Sequence, residues 1–280
     1  MSLIKKFQLL NNLVVNQDYY KLLCLNKEIG YVHKEVAREI IFNIETLTLK
    51  NGSLYFLEKK NSNLSSTAEH IANLLIEKKK MPLLSKEMFS CKEFIDSKEF
   101  FKLDRSLVEM LGIRGYGVHL IAYIKKGNNY KIWVPKRNRS KLIDPLKLDN
   151  TVAGGVKAGE NIYMALQREA KEEAGIKKFL LNKAKLTGTI NYSWKNKRLS
   201  IRRDTLYLFD LEVDTSFLPK CYDGEVEKFK LMDWEEVLHQ IQETNNFKTN
   251  CALVLANFLI RHGLLTNKNE KKYEEILRYN

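Results

Sequence analysis

Residues 154–176 read Gly-Gly-Val-Lys-Ala-Gly-Glu-Asn-Ile-Tyr-Met-Ala-Leu-Gln-Arg-Glu-Ala-Lys-Glu-Glu-Ala-Gly-Ile. Ile162, Leu166, Ala170 and Ala174 recur every fourth residue, the mark of an apolar stripe on a helix running from about 160 to 174. Gly175 follows as a left-handed C-cap. Glu169, Glu172 and Glu173 stand at i, i+3 and i+4, so their carboxylates share one face beside the stripe. Like charges at this spacing destabilise an isolated helix by about 0.2–0.5 kcal/mol per pair, so three of them require compensation. A hard divalent cation, Mg²⁺ or Mn²⁺, takes oxygen ligands and suits the role. The glycines ahead of the helix let the backbone approach a ligand closely. Glycine loop, helix and carboxylates together point to metal-assisted chemistry on a phosphate.

Working outward, 280 residues give room for two domains or one large one, and a hydrophobic fraction of 44% fits a globular protein. No run approaches the roughly 18 apolar residues of a membrane span. The start, Met1-Ser2-Leu3-Ile4-Lys5-Lys6, lacks the apolar core of a secretory signal. Cys24, Cys91, Cys221 and Cys251 are scattered and form no C-x-x-C pair, which reads as reduced thiols in a cytoplasmic protein. The net charge of +13 comes with lysines spread throughout and no basic stripe interleaved with aromatics, so a nucleic-acid partner is not expected. A basic surface would still draw in a phosphorylated small molecule.

Along the chain, residues 1–110 read as an accessory α+β module. It has a helical start, a short strand at 29–32 and a helix at 34–40. A hairpin pairs 47–49 with 54–57 around Asn51-Gly52, and Ser66 or Thr67 caps a helix over 68–79. His33 and His70 have no catalytic spacing. Glycines at 112, 115 and 117 mark a junction. A second domain over 111–265 follows, with strands at 118–124 and 130–135. The basic run 136–141 comes next, within which Arg137 and Arg139 are candidates for phosphate contact. Long strands at 186–194 and 199–213 are joined by a basic turn, 195–198. Arg202 and Arg203 fall on opposite faces of the second, and one of them, with Arg203 the candidate, suits a phosphate oxygen. Helices at 234–241 and 251–262 precede a helical tail at 266–280.

The opening stretch resembles the Nudix box, G-x5-E-x7-R-E-U-x-E-E-x-G-U with U aliphatic. Counting from Gly154, the fixed positions are Glu160, Arg168, Glu169, Glu172, Glu173 and Gly175; Ala170 is small for its aliphatic slot and Ile176 fills the last. Arg114-Gly115-Tyr116-Gly117-Val118-His119, Trp133-Val134-Pro135-Lys136-Arg137 and Lys147-Leu148-Asp149-Asn150 resemble the thiamine-pyrophosphokinase-related Nudix proteins, which also carry an N-terminal module. That resemblance implies an α/β/α sandwich with a mixed sheet, preceded by the smaller α+β module, and metal-dependent hydrolysis of a P–O–P bond. It implies Mg²⁺ or Mn²⁺ on Glu169, Glu172 and Glu173, with a backbone carbonyl near Ala153 or Gly154. Glu160 and Arg168 would pair, with Gly155 and Gly175 also structural, and Lys147 would contact substrate. A loop acid, Glu225 or Glu227 with Glu225 preferred, would add a ligand or base. Glu172, Glu173 or that loop glutamate would take the proton.

The implied substrate is thiamine diphosphate or its oxidised or damaged forms, cut to the monophosphate and phosphate. Competing expectations are another nucleoside-diphosphate-type or RNA-cap substrate, or a non-catalytic nucleic-acid binder. An isopentenyl-diphosphate isomerase is disfavoured because no cysteine lies in a suitable Cys-His context.

Overall fold

The computed structural model describes residues 1–13, 17–57, 63–195 and 199–279. Helix α1 (Leu3–Leu10) opens the chain, followed by β1 (Tyr19–Cys24), β2 (Lys27–His33), α2 (Lys34–Asn43), β3 (Leu47–Lys50) and β4 (Ser53–Phe56). Asn51 and Gly52 both take positive φ, 49° and 71°, the two left-handed residues that a two-residue hairpin of this twist requires. The four strands form a sheet in the order β2-β1-β4-β3. Helix α3 (Leu64–Glu77) begins four residues before the expected position, because Asn63 is the cap and accepts the Ser65 and Ser66 amides. The hairpin of β5 (Met88–Cys91) with β6 (Phe101–Asp104), then α4 (Arg105–Met110), completes this unit. Its core gathers Leu22, Ile40, Leu54, Ile71, Leu75 and Leu107.

The larger unit contains β7 (Arg114–Lys126), β8 (Asn129–Arg137), β9 (Val152–Gly155), α5 (Ile162–Ala174), α6 (Lys178–Leu181), β10 (Lys185–Lys195), β11 (Ile201–Glu212), β12 (Val226–Asp233), α7 (Trp234–Glu243), α8 (Thr249–Arg261) and α9 (Tyr273–Leu277). The strand order is β10-β11-β7-β8-β12, with β9 paired to the first half of β7. The β11–β7 pair is parallel and the others are antiparallel, so the sheet is mixed. β7 is buried on both faces, with alternate side chains feeding two cores. Val118, Leu120 and Ala122 meet Leu166, Ala170 and Ala174 of α5, while Ile121 and Tyr123 meet α7 and α8. This is the expected α/β/α arrangement.

Both chain ends pack differently from the sequence reading. Leu3, Phe7 and Leu10 of α1 and Ile276 of α9 join the core of the larger unit, so the N-terminal unit's own core starts at β1. Lys6 is buried and donates to the carbonyls of Ile241 and Thr244 at the end of α7, and burial pulls its pKa down to about 8. Of the expected basic turn at 195–198, Lys195 is the last residue of β10 and 196–198 lie outside the described residues. No described helix is long and apolar enough to cross a membrane.

Candidate active site

The loop between β9 and α5 is tied to the helix by one guanidinium. Arg168 donates to the Glu160 carboxylate through Nε (2.7 Å) and Nη2 (2.9 Å), and Nη2 also reaches the Gly155 carbonyl at 3.0 Å. Glu160 further accepts the Lys157 amide at 3.0 Å. Burial alone would raise the Glu160 pKa, but Arg168 and that amide outweigh it and hold it below the ordinary range. Asn161 caps α5 by accepting the Tyr163 and Met164 amides, and Gly175 closes it at φ 64°.

Glu169 and Glu173 turn inward from α5 toward β9. Glu173 accepts the Ala153 amide at 2.8 Å. Glu169 lies flat against Gly154, where a Cβ would sit 2.0 Å from its Cδ, so only glycine admits the carboxylate at this position. Glu169 also accepts from Arg168 Nη1. Glu172 stands at the solvent edge with its side chain 44% exposed, 3.6 Å from Arg168. Burial pushes the Glu173 pKa well up, and Glu169, Asp149 and Glu225 push it further. Burial raises Glu169 as well, against the pull of Arg168. Two buried carboxyls repelling each other beside a glycine backbone are the donor chemistry that Mg²⁺ and Mn²⁺ accept. Among the described residues no three His, Cys, Asp or Glu side chains are gathered to hold a metal ion by themselves: Glu169 and Glu173 lie against β9, while Glu172 shares the Arg168 guanidinium with Glu169 from the solvent edge, its charge raising the Glu169 pKa.

Of the two loop acids, Glu225 acts on this cluster through its charge. It pairs with Lys141, and its carbonyl accepts the Asn138 amide at 2.8 Å. Glu227 is engaged with Lys136 at 3.2 Å. Arg139 is exposed on the same loop as Lys141.

The other basic candidates are placed elsewhere. Arg137 is buried and donates to Asp149 (2.8 Å) and to the carbonyls of Ile143 (3.0 Å) and Asp144 (3.2 Å). This moves Arg137 from phosphate contact to support of the 138–148 loop. Lys147 pairs with Asp144 at 2.9 Å and lines a groove of about 440 Å³ with Lys230, Glu236 and Gln240, beside α7. Arg203 lies over the Tyr31 ring at 4.8 Å and donates to the Gly112 carbonyl at 3.3 Å, at the seam with the N-terminal unit. Arg202, on the opposite face, pairs with Asp204 at 2.7 Å.

Sequence reading missed the buried network under the site. Asp149 takes Arg137, Lys248 (3.5 Å) and the Cys251 thiol, while Asn150 bonds His119 Nδ1 at 2.6 Å. Burial opposes a charge on Asp149, yet Lys248 and Arg137 overcome it and hold its pKa at about 2. Burial lowers His119 to about 4, leaving it neutral near pH 7. Nothing local announces this cluster, since Lys248 and Cys251 lie about a hundred positions from Asp149.

The family profile described as NUDIX domain matches residues 115–251. Nudix hydrolase 20, chloroplastic, of Arabidopsis thaliana is 34% identical over 250 residues, covering 85% of this chain and 66% of that protein. Nudix hydrolase 24, chloroplastic, of the same plant is 32% identical over 241 residues, with the same two coverages. An uncharacterized protein of Saccharomyces cerevisiae is 34% identical over 197 residues, covering 66% of this chain and 57% of that protein. The chain thus spans 66% of the length of each plant relative, just short of two thirds.

Proposed function

We propose, from the match of residues 115–251 to the Nudix domain family, that the protein is a metal-dependent pyrophosphohydrolase of a small diphosphate metabolite. The observation that carries the reading is the buried pair Glu169 and Glu173, held against Ala153 and Gly154 on a helix whose leading loop Arg168 clamps through Glu160. Glu169, Glu172 and Glu173, with a carbonyl at Ala153 or Gly154, would hold Mg²⁺ or Mn²⁺, which supplies Lewis-acid polarisation of the P–O–P bond and neutralises developing charge. The chain's own residues do the rest. The Ala153 amide fixes the Glu173 carboxyl, and Arg168 keeps the loop at a set distance from Glu169. Glu172, Glu173 or Glu225 takes the proton from the attacking water. Arg139, exposed beside Lys141, meets the outer phosphate.

The substrate we propose is thiamine diphosphate or an oxidised or damaged form of it, released as the monophosphate and phosphate. Support comes from the likeness of residues 114–119, 133–137 and 147–150 to the thiamine-pyrophosphokinase-related Nudix proteins.

The test is chromatographic analysis of the products from a panel of thiamine diphosphate, its oxidised forms, nucleoside diphosphates and capped RNA, with Mg²⁺ or Mn²⁺: monophosphate and orthophosphate from the diphosphates, a cap nucleotide and 5′-phosphorylated RNA from the capped RNA. The expected result is metal-dependent cleavage of a thiamine-type diphosphate with kcat/KM about 10-fold or more above the others. A preference for a nucleotide would remove the substrate assignment, and no cleavage of any member would remove the hydrolase reading.

A further inference from the structure

The loop that leads into α5 is braced from outside its own domain. β5 runs beside it: the Met88 carbonyl accepts the Ala158 amide at 2.8 Å, and Glu87 pairs with Lys157 at 3.0 Å and with Arg105 at 2.7 Å. The Phe89 ring covers Gly155 so closely that a Cβ there would lie 2.6 Å from its Cζ. Gly155 does not adopt the left-handed conformation, so its want of a side chain is imposed by Phe89 and not by the backbone. Phe89 itself is buried in the core of the N-terminal unit, with the Arg105 guanidinium 5.9 Å from its ring centre. From the other side the Gly155 carbonyl accepts Arg168 Nη2 at 3.0 Å. Residue 155 is therefore held between an aromatic ring of one unit and the guanidinium that orients Glu160 and Glu169 in the other. The seam continues to β7, where the Tyr116 hydroxyl donates to the Glu93 carbonyl at 3.2 Å.

We propose that the N-terminal unit is a working part of the active site, and that Phe89 is the positioning residue through which it acts. By pressing on Gly155, Phe89 sets the distance between the loop backbone and Arg168, and so fixes where Glu169 stands against Gly154. A ring locked in a close-packed core does not yield by small amounts. Removing it lets the loop relax away from the helix, and a misplacement of about 1 Å near a reacting centre costs up to about 100-fold in rate. The kinetic arm of this inference rests on the hydrolase reading; its structural arm does not.

The test uses the full chain with four variants: Phe89→Ala, Phe89→Leu, Gly155→Ala and the double Phe89→Ala/Gly155→Ala. Four quantities are read: hydrogen exchange at the Ala158 amide, Mn²⁺ affinity by calorimetry, and kcat and KM on a diphosphate cleaved by the wild type. Phe89→Ala is expected to lower kcat by about 10- to 100-fold, speed exchange at Ala158 and weaken Mn²⁺ binding, with KM changed by less than about threefold. Phe89→Leu, which fills much of the core but lacks the Cε and Cζ atoms that meet Gly155, is expected to lose rate and protection at Ala158 as Phe89→Ala does. Gly155→Ala alone is damaging, and the double variant outperforms it because the missing ring makes room for the methyl group. A folded Phe89→Ala with wild-type exchange, Mn²⁺ affinity and kcat overturns the proposal, as does a double variant whose loss equals the product of the two single losses. If Phe89→Ala does not fold, Phe89→Leu and Gly155→Ala decide by the same readouts. A wild type that cleaves nothing refutes the hydrolase reading alone, and exchange at Ala158 then decides the brace.

Discussion

Asp149→Asn removes one charge from a buried cluster that holds two of the opposite sign. The Asp149 side chain is 6% exposed, Arg137 at 2.8 Å is 10% exposed and Lys248 at 3.5 Å is 14% exposed, so solvent screens them little. Leaving a buried ion without its partner costs about 3–5 kcal/mol. Asparagine still accepts from Arg137 through its amide oxygen, which puts the expectation near the lower end, about 3 kcal/mol. A second route agrees. A pKa of about 2 against an ordinary 3.8 corresponds to about 2–3 kcal/mol of stability at neutral pH. At about 2–4 °C per kcal/mol, Tm should fall by about 5–12 °C.

The pH dependence has a definite sign. The folded pKa lies below the unfolded one, so the contribution is complete above the unfolded value and disappears as pH falls through about 2. Wild-type and variant stabilities, from urea denaturation at a series of pH values, should therefore converge between about pH 4 and pH 2. Equal stability at pH 7, or a gap that persists at pH 2, refutes the reasoning.

Gly154→Ala would bring its Cβ to 2.0 Å from Glu169 Cδ, and should lower kcat by about 100-fold and stability by about 1–3 kcal/mol. The stability loss should vanish in a Glu169→Ala background, as thermal melts of the four proteins would reveal. Gly175→Ala forces a side chain onto φ 64° and to within 2.9 Å of the Lys220 carbonyl, and should cost at least about 1–2 kcal/mol by denaturant titration. Asp210 accepts from Arg261 at 2.6 and 2.9 Å. Burial opposes its charge, but His262 and Arg261 outweigh it and lower its pKa. The stability it contributes is present above the unfolded carboxylate pKa and is lost as pH falls through the folded one. Asp210→Asn should accordingly flatten the acid limb of the stability curve.

The parts of this structure that a sequence displays are those set by local spacing. Eight positions separate Glu160 from Arg168, enough for a loop to turn and deliver a carboxylate to a guanidinium on the second turn of α5. Gly175 announces the end of the helix because few other residues tolerate its φ. Cap choice was less legible. Near the start of α3, three hydroxyl residues compete with Asn63, but Ser65 accepts the Lys102 amide at 2.9 Å and Thr67 pairs with Thr46 at 3.2 Å, so Asn63 is left to cap. Long-range partnerships were not legible at all. Arg137 sits in a run that looks like a solvated basic loop until Asp149 turns it inward. Phe89 is an ordinary core aromatic until its contact with Gly155, 66 positions away, is seen. Likewise α1 looks like the first element of the N-terminal module, yet its apolar face fits the α7–α8 junction.

The most direct measurement is ³¹P NMR of a diphosphate substrate incubated with Mg²⁺ and either the wild type or Glu173→Gln, which keeps the acceptor for the Ala153 amide. The expected spectra show the diphosphate resonances giving way to orthophosphate and monophosphate with the wild type only when metal is present, and on the order of 10²–10³-fold more slowly with the folded variant. Wild-type speed in a folded Glu173→Gln, or diphosphate left intact by the wild type in Mg²⁺, would contradict the assignment of hydrolysis to the carboxylates of α5.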